Sequence, residues 1–326
     1  MSEKVATHDP NMWSSVLHAG LAGSFMRLPH VPPNAESLRS FGAKAAIYGI
    51  PWDSTSISRT GANYGPRGIR EISTMLTSFN ATYEFDIIEA LNPVDAGDCN
   101  TVLANAARTF DVAEEDIGQI IDSDALPVVF GGDHSISIPF ARALTKRYSS
   151  PGLVLIDMHL DTAEEVGGEE LNHCCPIPRA IDAGFDPKKT VLIGMSGWLN
   201  PRSELQYCQD HGITVIWLED LWDRGTRAVV DEAIAIAGGG DGIYLTVDID
   251  ALDAAYAPGT CAPSPGGLTS REAIELVRGI SASGLVGFDI VEVAPSLDGH
   301  TTSPTSLIAG RLALEAMSAH AGMLSK

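Results

Sequence analysis

The sequence predicts an α/β fold built on a mostly parallel sheet, and three observations carry that expectation. From about residue 41 onward, short apolar runs alternate with helix-like segments, the βαβα order of parallel sheets. Runs such as Leu126–Phe130 and Gly152–Asp157 are apolar on both faces, as strands are when helices cover the sheet on both sides. Polar and charged residues crowd the C-terminal ends of these runs, where open sheets and (β/α)8 barrels alike place their sites.

Residues 1–40 show no clean period and contain Pro10, Pro29, Pro32 and Pro33. They read as an N-terminal extension with one short helix around Trp13–Leu21. Residues 41–326 read as one domain, because no composition break, low-complexity segment or internal repeat divides them. Strands are expected at Ala45–Ile50, Pro93–Ala96, Leu126–Phe130, Leu153–Asp157, Thr190–Gly194, Thr214–Leu218, Ile243–Val247 and Leu285–Val291. Helices are expected at Arg67–Thr77, Arg108–Asp122, Ser137–Arg147, Arg202–His211, Thr226–Ala237, Ser270–Ser281 and Pro304–Ala319. Eight strands fit an open sheet or a closed barrel, and the pattern alone does not separate them.

The chain has 326 residues, 44% of them hydrophobic, enough to bury a large core. Lys and Arg number 21 against 42 Asp and Glu, a formal net charge of −21. Nucleic acid and anionic membranes need a basic footprint, so neither is expected as a main partner. A negative field suits a cationic small molecule or a divalent metal. No apolar stretch reaches the roughly 18 residues of a membrane span, and the N-terminus lacks a basic start followed by an apolar block. The five cysteines, Cys99, Cys174, Cys175, Cys208 and Cys261, are odd in number and lack zinc-ligand spacing, which fits a reducing cytoplasm.

Three strand ends carry the chemistry. After Leu126–Phe130 comes Gly131-Gly132-Asp133-His134-Ser135, a sharp turn presenting a histidine. After Leu153–Ile156 come Asp157, His159 and Asp161, alternate residues that project to one side of an extended chain. At the end of Ile243–Val247 stand Asp248 and Asp250. One such cluster could simply cap a turn; three on neighbouring strand ends point to a shared site. Four carboxylates brought together repel one another unless cations sit among them. Two divalent metals resolve this and can activate water toward an electrophilic carbon. Carboxylates plus imidazoles without thiolate suit Mn²⁺ and equally admit Ni²⁺, Co²⁺ or Zn²⁺.

These three motifs, with Asp248–Thr260 taken whole, resemble the signatures of the ureohydrolase family, which includes arginase and agmatinase. Gly49–Asp53, Arg59–Arg70, Val94–Asp98 and Phe288–Pro295 are similar to further family segments, and the combination leans to the agmatinase side. The resemblance implies a three-layer α/β/α fold with an eight-stranded parallel sheet. It also implies two metal ions per chain, Mn²⁺ in most members with Ni²⁺ the next choice, and hydrolysis of a guanidino group to urea plus an amine. By motif match His134, Asp157, His159, Asp161, Asp248 and Asp250 are the metal ligands. Glu292 matches the guanidinium-binding acid and His173 the proton-shuttling histidine. A trimer or hexamer, or a hetero-oligomer with a paralogue, is the assembly implied.

The chemistry supports these roles independently. A guanidinium is planar and protonated at physiological pH, so a buried carboxylate can hold it with two hydrogen bonds. The leaving amine needs a proton, a task for a histidine titrating near neutrality. Other classes fit less well. A silent structural subunit has no reason to keep all six ligands with His173 and Glu292. A deacetylase or formiminoglutamase-type enzyme suits the Glu292 context less, and a cysteine nucleophile at Cys174 or Cys175 lacks a motif supplying its base.

Departures from the family concern the substrate tail. Met158 replaces a small residue and is expected to pack behind its strand. His173 is followed by Cys174 and Cys175 where small residues are usual. The loop before it carries Glu164, Glu165, Glu169 and Glu170 without Arg or Lys. Such a loop repels a carboxylate tail, so arginine and 4-guanidinobutyrate are expected to be poor substrates. Agmatine, or an alkylated guanidine or biguanide such as metformin, is the expected substrate, with Glu164, Glu165, Cys174 and Cys175 beside its tail.

Overall fold

The computed structural model describes residues 23–299 and 302–322; the helix expected around Trp13–Leu21 lies outside them. Eight strands form one sheet: β1 (Ala45–Gly49), β2 (Val94–Asp98), β3 (Leu126–Phe130), β4 (Gly152–Ile156), β5 (Thr190–Met195), β6 (Thr214–Trp217), β7 (Ile243–Asp248) and β8 (Leu285–Val291). Their order is β2-β1-β3-β8-β7-β4-β5-β6, every neighbouring pair is parallel, and β2 and β6 are the outermost strands, with a parallel bridge from His30 to Asp95 on the outer side of β2. The sheet is therefore open, not a barrel. All eight strands lie where the apolar runs predict, with ends displaced by at most two residues.

The helices are α1 (Ala35–Phe41), α2 (Gly65–Ile72), α3 (Ile87–Leu91), α4 (Ala106–Asp122), α5 (Ser137–Arg147), α6 (Pro176–Ala183), α7 (Arg202–His211), α8 (Leu218–Arg224), α9 (Thr226–Ala237), α10 (Ser270–Ser281) and α11 (Pro304–His320). Thr269 and Glu272 close a capping box at the start of α10, satisfying amides that have no partner within the helix. The short helices α1, α3, α6 and α8 were not expected from the sequence. In α6 two prolines, Pro176 and Pro178, mask a buried helix start. At α8 the expected strand runs one residue too far, because Leu218 is apolar in either state.

Strand periodicity divides the core in two. Ile47, Val128, Phe130, Val154, Ile156, Leu245, Val247, Phe288 and Ile290 face the side covered by α2, α9, α10 and α11. Tyr48, Val129, Leu153, Leu155, Leu192 and Tyr244 face α1, α4, α5 and α6. Successive side chains of a strand point to opposite faces, so a strand apolar throughout demands helices on both sides. The result is the three-layer α/β/α arrangement. Residues 23–40, read from the sequence as part of the extension, pack onto it: Phe25 is fully buried edge-on to Phe130, and Leu38 in α1 is fully buried. Among the described residues no helix is long and apolar enough to cross a membrane.

Candidate active site

The strands followed by chemistry-bearing residues are β3, β4, β7 and β8, and they are contiguous in the sheet as β3-β8-β7-β4. Register aligns their ends: Ile290 pairs with Phe130, Val291 with Asp248, and Ile156 with Val247. The loops carrying His134, Asp157–Asp161, Asp248–Asp250 and Glu292 therefore meet at one level. Gly132 makes the junction possible. Its carbonyl accepts the Glu292 amide at 2.8 Å, and a Cβ there would lie 1.6 Å from the Trp52 carbonyl oxygen.

His134 Nδ1 lies 3.2 Å from Asp157 Oδ2, 2.9 Å from Asp161 Oδ2 and 3.3 Å from Asp248 Oδ2. His159 Nδ1 lies 3.4 Å from Asp157 Oδ1 and 3.2 Å from Asp250 Oδ2. The ligand-type atoms fall into two groups, His134/Asp157/Asp248 and Asp157/His159/Asp250, with Asp157 common to both. His134 Nδ1, Asp157 Oδ2 and Asp250 Oδ1 are buried and have no hydrogen-bond partner. Buried polar atoms are ordinarily satisfied, so a convergent set left open fits a metal-binding centre. All six expected ligands are thus brought together, with Asp161 beside His134 and Asp157 common to the two groups.

The charge arrangement matches the repulsion argument. Burial, with Asp250 and Asp157 alongside, holds the Asp248 carboxyl well above the usual carboxylate range. Burial also lifts Asp250, opposed by His159 and assisted by Asp157, to about 7. Burial opposes charging of His134, yet the Asp157, Asp161 and Asp248 carboxylates beside its Nδ1 keep it well above its ordinary value. Asp161 and Glu292 both adopt positive φ, 49° and 60°, which non-glycine residues rarely accept outside sites that require it.

Glu292 is 2% exposed. Its Oε1 accepts the His134 amide at 3.0 Å and faces His173 Nδ1 at 3.0 Å, while Oε2 is buried without a partner. His173 Nε2 accepts the Ile57 amide at 3.1 Å. Glu292, His173, His159, Asp161, Asp248 and Asp250 line one cavity of about 430 Å³, while His134 and Asp157 are fully buried outside its lining. Its outer wall is Ile57, Trp198, Leu199 and Pro201, with Trp198 fully exposed at the mouth.

The expected tail residues divide. Cys174 lines the cavity, whereas Cys175 is fully buried at the N-cap of α6 and does not. Glu164 and Glu165 are exposed to solvent and lie outside the lining. Besides Glu292 and the ligand-motif aspartates, the acid that lines it is Glu204, in the first turn of α7, which the sequence reading missed. Its Oε2 accepts the Thr162 amide at 3.2 Å, and burial together with the Asp161 charge pushes its carboxyl up to about 7. Nothing in the periodicity of Arg202–His211 marks Glu204, since helix-start acids are common for electrostatic reasons alone. Asn200 was also missed. It accepts the Leu160 amide and donates to the Met158 and Ser196 carbonyls, tying the loop after β5 to the ligand loop. Met158 itself is buried, 2% exposed.

Fold and site together define a three-layer α/β/α protein with a His/Asp cluster of metal-binding type at the strand ends. The chain belongs to the arginase family, whose model matches residues 43–319. It is 36% identical over 91% of its length, and 82% of the other protein, to the mitochondrial guanidino acid hydrolase of Homo sapiens. It is also 36% identical to the agmatinase of Enterobacter sp. (strain 638), covering 90% of this chain and 92% of that one. The solved proclavaminate amidinohydrolase of Streptomyces clavuligerus superposes with a TM-score of 0.83 at 32% identity, covering 91% of this chain and 96% of that one.

Proposed function

We propose that this enzyme hydrolyses a guanidino compound with a cationic or neutral tail, splitting a C–N bond to give urea, or a urea-like product, and an amine. The observation that carries the reading is Glu292, a buried carboxylate beside the His/Asp cluster with one oxygen unpartnered. A guanidinium keeps its charge at any physiological pH and matches that oxygen in shape and sign. Two divalent ions, Mn²⁺ by family resemblance with Ni²⁺ as the alternative, would be held by His134, Asp157, Asp161 and Asp248 and by His159, Asp157 and Asp250. Their contribution when bound is Lewis-acid polarisation and the activation of water at neutral pH. Glu292 orients the guanidinium, and His173 at its side carries the proton the leaving amine requires.

The tail assignment rests on the cavity. Among its described lining residues are five carboxylates, Asp161, Glu204, Asp248, Asp250 and Glu292, and no Lys or Arg. A carboxylate tail finds no charge partner there, whereas an ammonium can face Glu204 and an alkyl group can lie against Ile57, Trp198 and Leu199. Agmatine and alkylated guanidines or biguanides such as metformin fit this description. A second reading, a guanidino acid hydrolase, is favoured by the 36% identity to the human protein of that name. The test is kcat/KM for agmatine, metformin, methylguanidines, arginine and 4-guanidinobutyrate, with Mn²⁺ and Ni²⁺ loaded separately. Arginine or 4-guanidinobutyrate as the best substrate overturns the first reading. The five free cysteines agree with a reducing compartment such as the cytoplasm. Assembly as a trimer or hexamer, or with a paralogous chain, is part of the same reading and is measured by light scattering.

A further inference from the structure

Behind His134, on the side away from the carboxylates, lies a buried polar chain with no part in the chemistry described so far. His134 Nε2 is 3.0 Å from Thr246 Oγ1. Thr246 Oγ1 is 3.4 Å from Ser137 Oγ, and Ser137 Oγ donates to Asp289 Oδ2 at 3.0 Å. The Tyr244 hydroxyl donates to the same Asp289 oxygen. Thr246, Ser137, Asp289 and Tyr244 are each at most 3% exposed.

The placement follows from strand geometry. Tyr244, Thr246 and Asp248 alternate along β7 and share one face, so the ligand Asp248 and Thr246 point the same way. Asp289 on β8 is the register partner of Thr246. Ser137 follows His134 by three residues, at the start of α5.

The direction of the chain follows from its far end. Asp289 Oδ2 accepts from both Ser137 and Tyr244. With its proton committed to Asp289, Ser137 can only accept from Thr246. With its own proton committed to Ser137, Thr246 can only accept, and the donor facing it is His134 Nε2–H. We infer that the chain Asp289–Ser137–Thr246 is a positioning relay that fixes the His134 proton on Nε2 and so keeps Nδ1 available as a metal ligand. In the metal-free protein the ring is charged and protonated on both nitrogens, and a cation must displace the Nδ1 proton; without the relay the ring can keep its remaining proton on Nδ1, among the three carboxylates, and bar a cation. Partners that orient a ligating histidine typically matter about 10- to 100-fold in metal affinity.

The inference rests on the reading of His134 as a metal ligand, and the test separates the two. Metal-stripped wild type, Thr246→Val, Thr246→Ser and Ser137→Ala are titrated with Mn²⁺, and separately with Ni²⁺, against a competing chelator. Wild type should take up two ions per chain. Thr246→Val keeps the shape and loses the hydroxyl, and should weaken one equivalent about 10- to 100-fold while leaving the other within a few-fold. Thr246→Ser should restore the lost affinity, which a merely structural role for the Thr methyl would not predict. Ser137→Ala frees the Thr246 hydroxyl and should weaken the same equivalent; it carries the test if Thr246→Val does not fold. Unchanged affinity in the folded variants, or equal weakening of both equivalents, overturns the relay. A wild-type chain that binds neither metal overturns the metal-site reading instead.

Discussion

His173 Nδ1 lies 3.0 Å from Glu292 Oε1, while its Nε2 accepts the Ile57 amide at 3.1 Å. The two contacts pull in opposite directions. Burial opposes a charged ring, but the side-chain bonds to Cys174 and Glu292 overcome it and push the imidazole up to about 12. The Ile57 amide favours the neutral ring, because it needs a lone pair on Nε2. Under the proposed function, a guanidinium arriving at Glu292 would offset the carboxylate's charge and tip the balance toward release of the His173 proton.

The first prediction follows from that balance. Glu292→Gln removes the partner that favours the charged ring, so His173 should titrate at lower pH than in wild type, read by NMR of labelled histidine. An unchanged His173 titration would show that Glu292 does not govern it. His173→Ala should keep the metal content and lower turnover by about 10² to 10⁴. Loss of metal in that variant would make His173 a ligand rather than a proton carrier.

Asp157 offers one oxygen to each ligand group, whereas Asp250 belongs to the His159 group alone. Asp157→Ala should therefore deplete both ions, and Asp250→Ala mainly one, as counted by elemental analysis of purified protein. Equal metal content in the two variants contradicts the shared role of Asp157.

Glu204 links the tail pocket to stability. Its folded-state carboxyl is raised to about 7, so between the ordinary Glu value and 7 the metal-free folded protein binds more protons than the unfolded chain. Its contribution is fully present below the ordinary value and is lost as pH rises through about 7. Metal-free Glu204→Gln should flatten that fall, an effect of at most about 3 kcal/mol, read from denaturant midpoints at pH 5 and pH 8. In the metal-loaded enzyme the same variant should lower kcat/KM for agmatine by about tenfold relative to an alkylguanidine whose tail is uncharged, the usual worth of one charged hydrogen bond. An equal loss on both substrates would remove Glu204 from tail recognition.

Gly132→Ala places a methyl against backbone that cannot rotate away, 1.6 Å from the Trp52 carbonyl oxygen. Relief requires shifting the loop whose carbonyl holds the Glu292 amide. The variant should lose about 3 kcal/mol of stability or more, seen as a lowered Tm, together with activity. A variant of wild-type stability would mean that the loop tolerates displacement.

Much of the molecule was legible in one dimension. The apolar runs located the inner strands because a strand buried on both faces must be largely apolar, a local signature; the outermost strands β2 and β6, one carrying two Asp residues and the other half-buried, show it more weakly. His134, Asp157, His159, Asp161, Asp248 and Asp250 were legible because each motif is a short stretch at a strand end. Helix α6 was not, since two prolines hide a start that tertiary burial of Ile177 stabilises.

What the sequence by itself determined is the set of elements and the chemistry each strand end carries. The tertiary structure decided which strand ends meet. The order β3-β8-β7-β4 seats residues from positions 134, 157, 248 and 292 side by side, and hydrogen bonding between strands far apart in the chain imposes it. It also decided which acid reads the cavity. Glu164 and Glu165 sit close in sequence to the ligand motif yet face solvent, while Glu204 reaches the cavity because α7 lays its first turn against Thr162. A loop's proximity along the chain says nothing about where its side chains point; packing of a helix against a neighbouring strand end does.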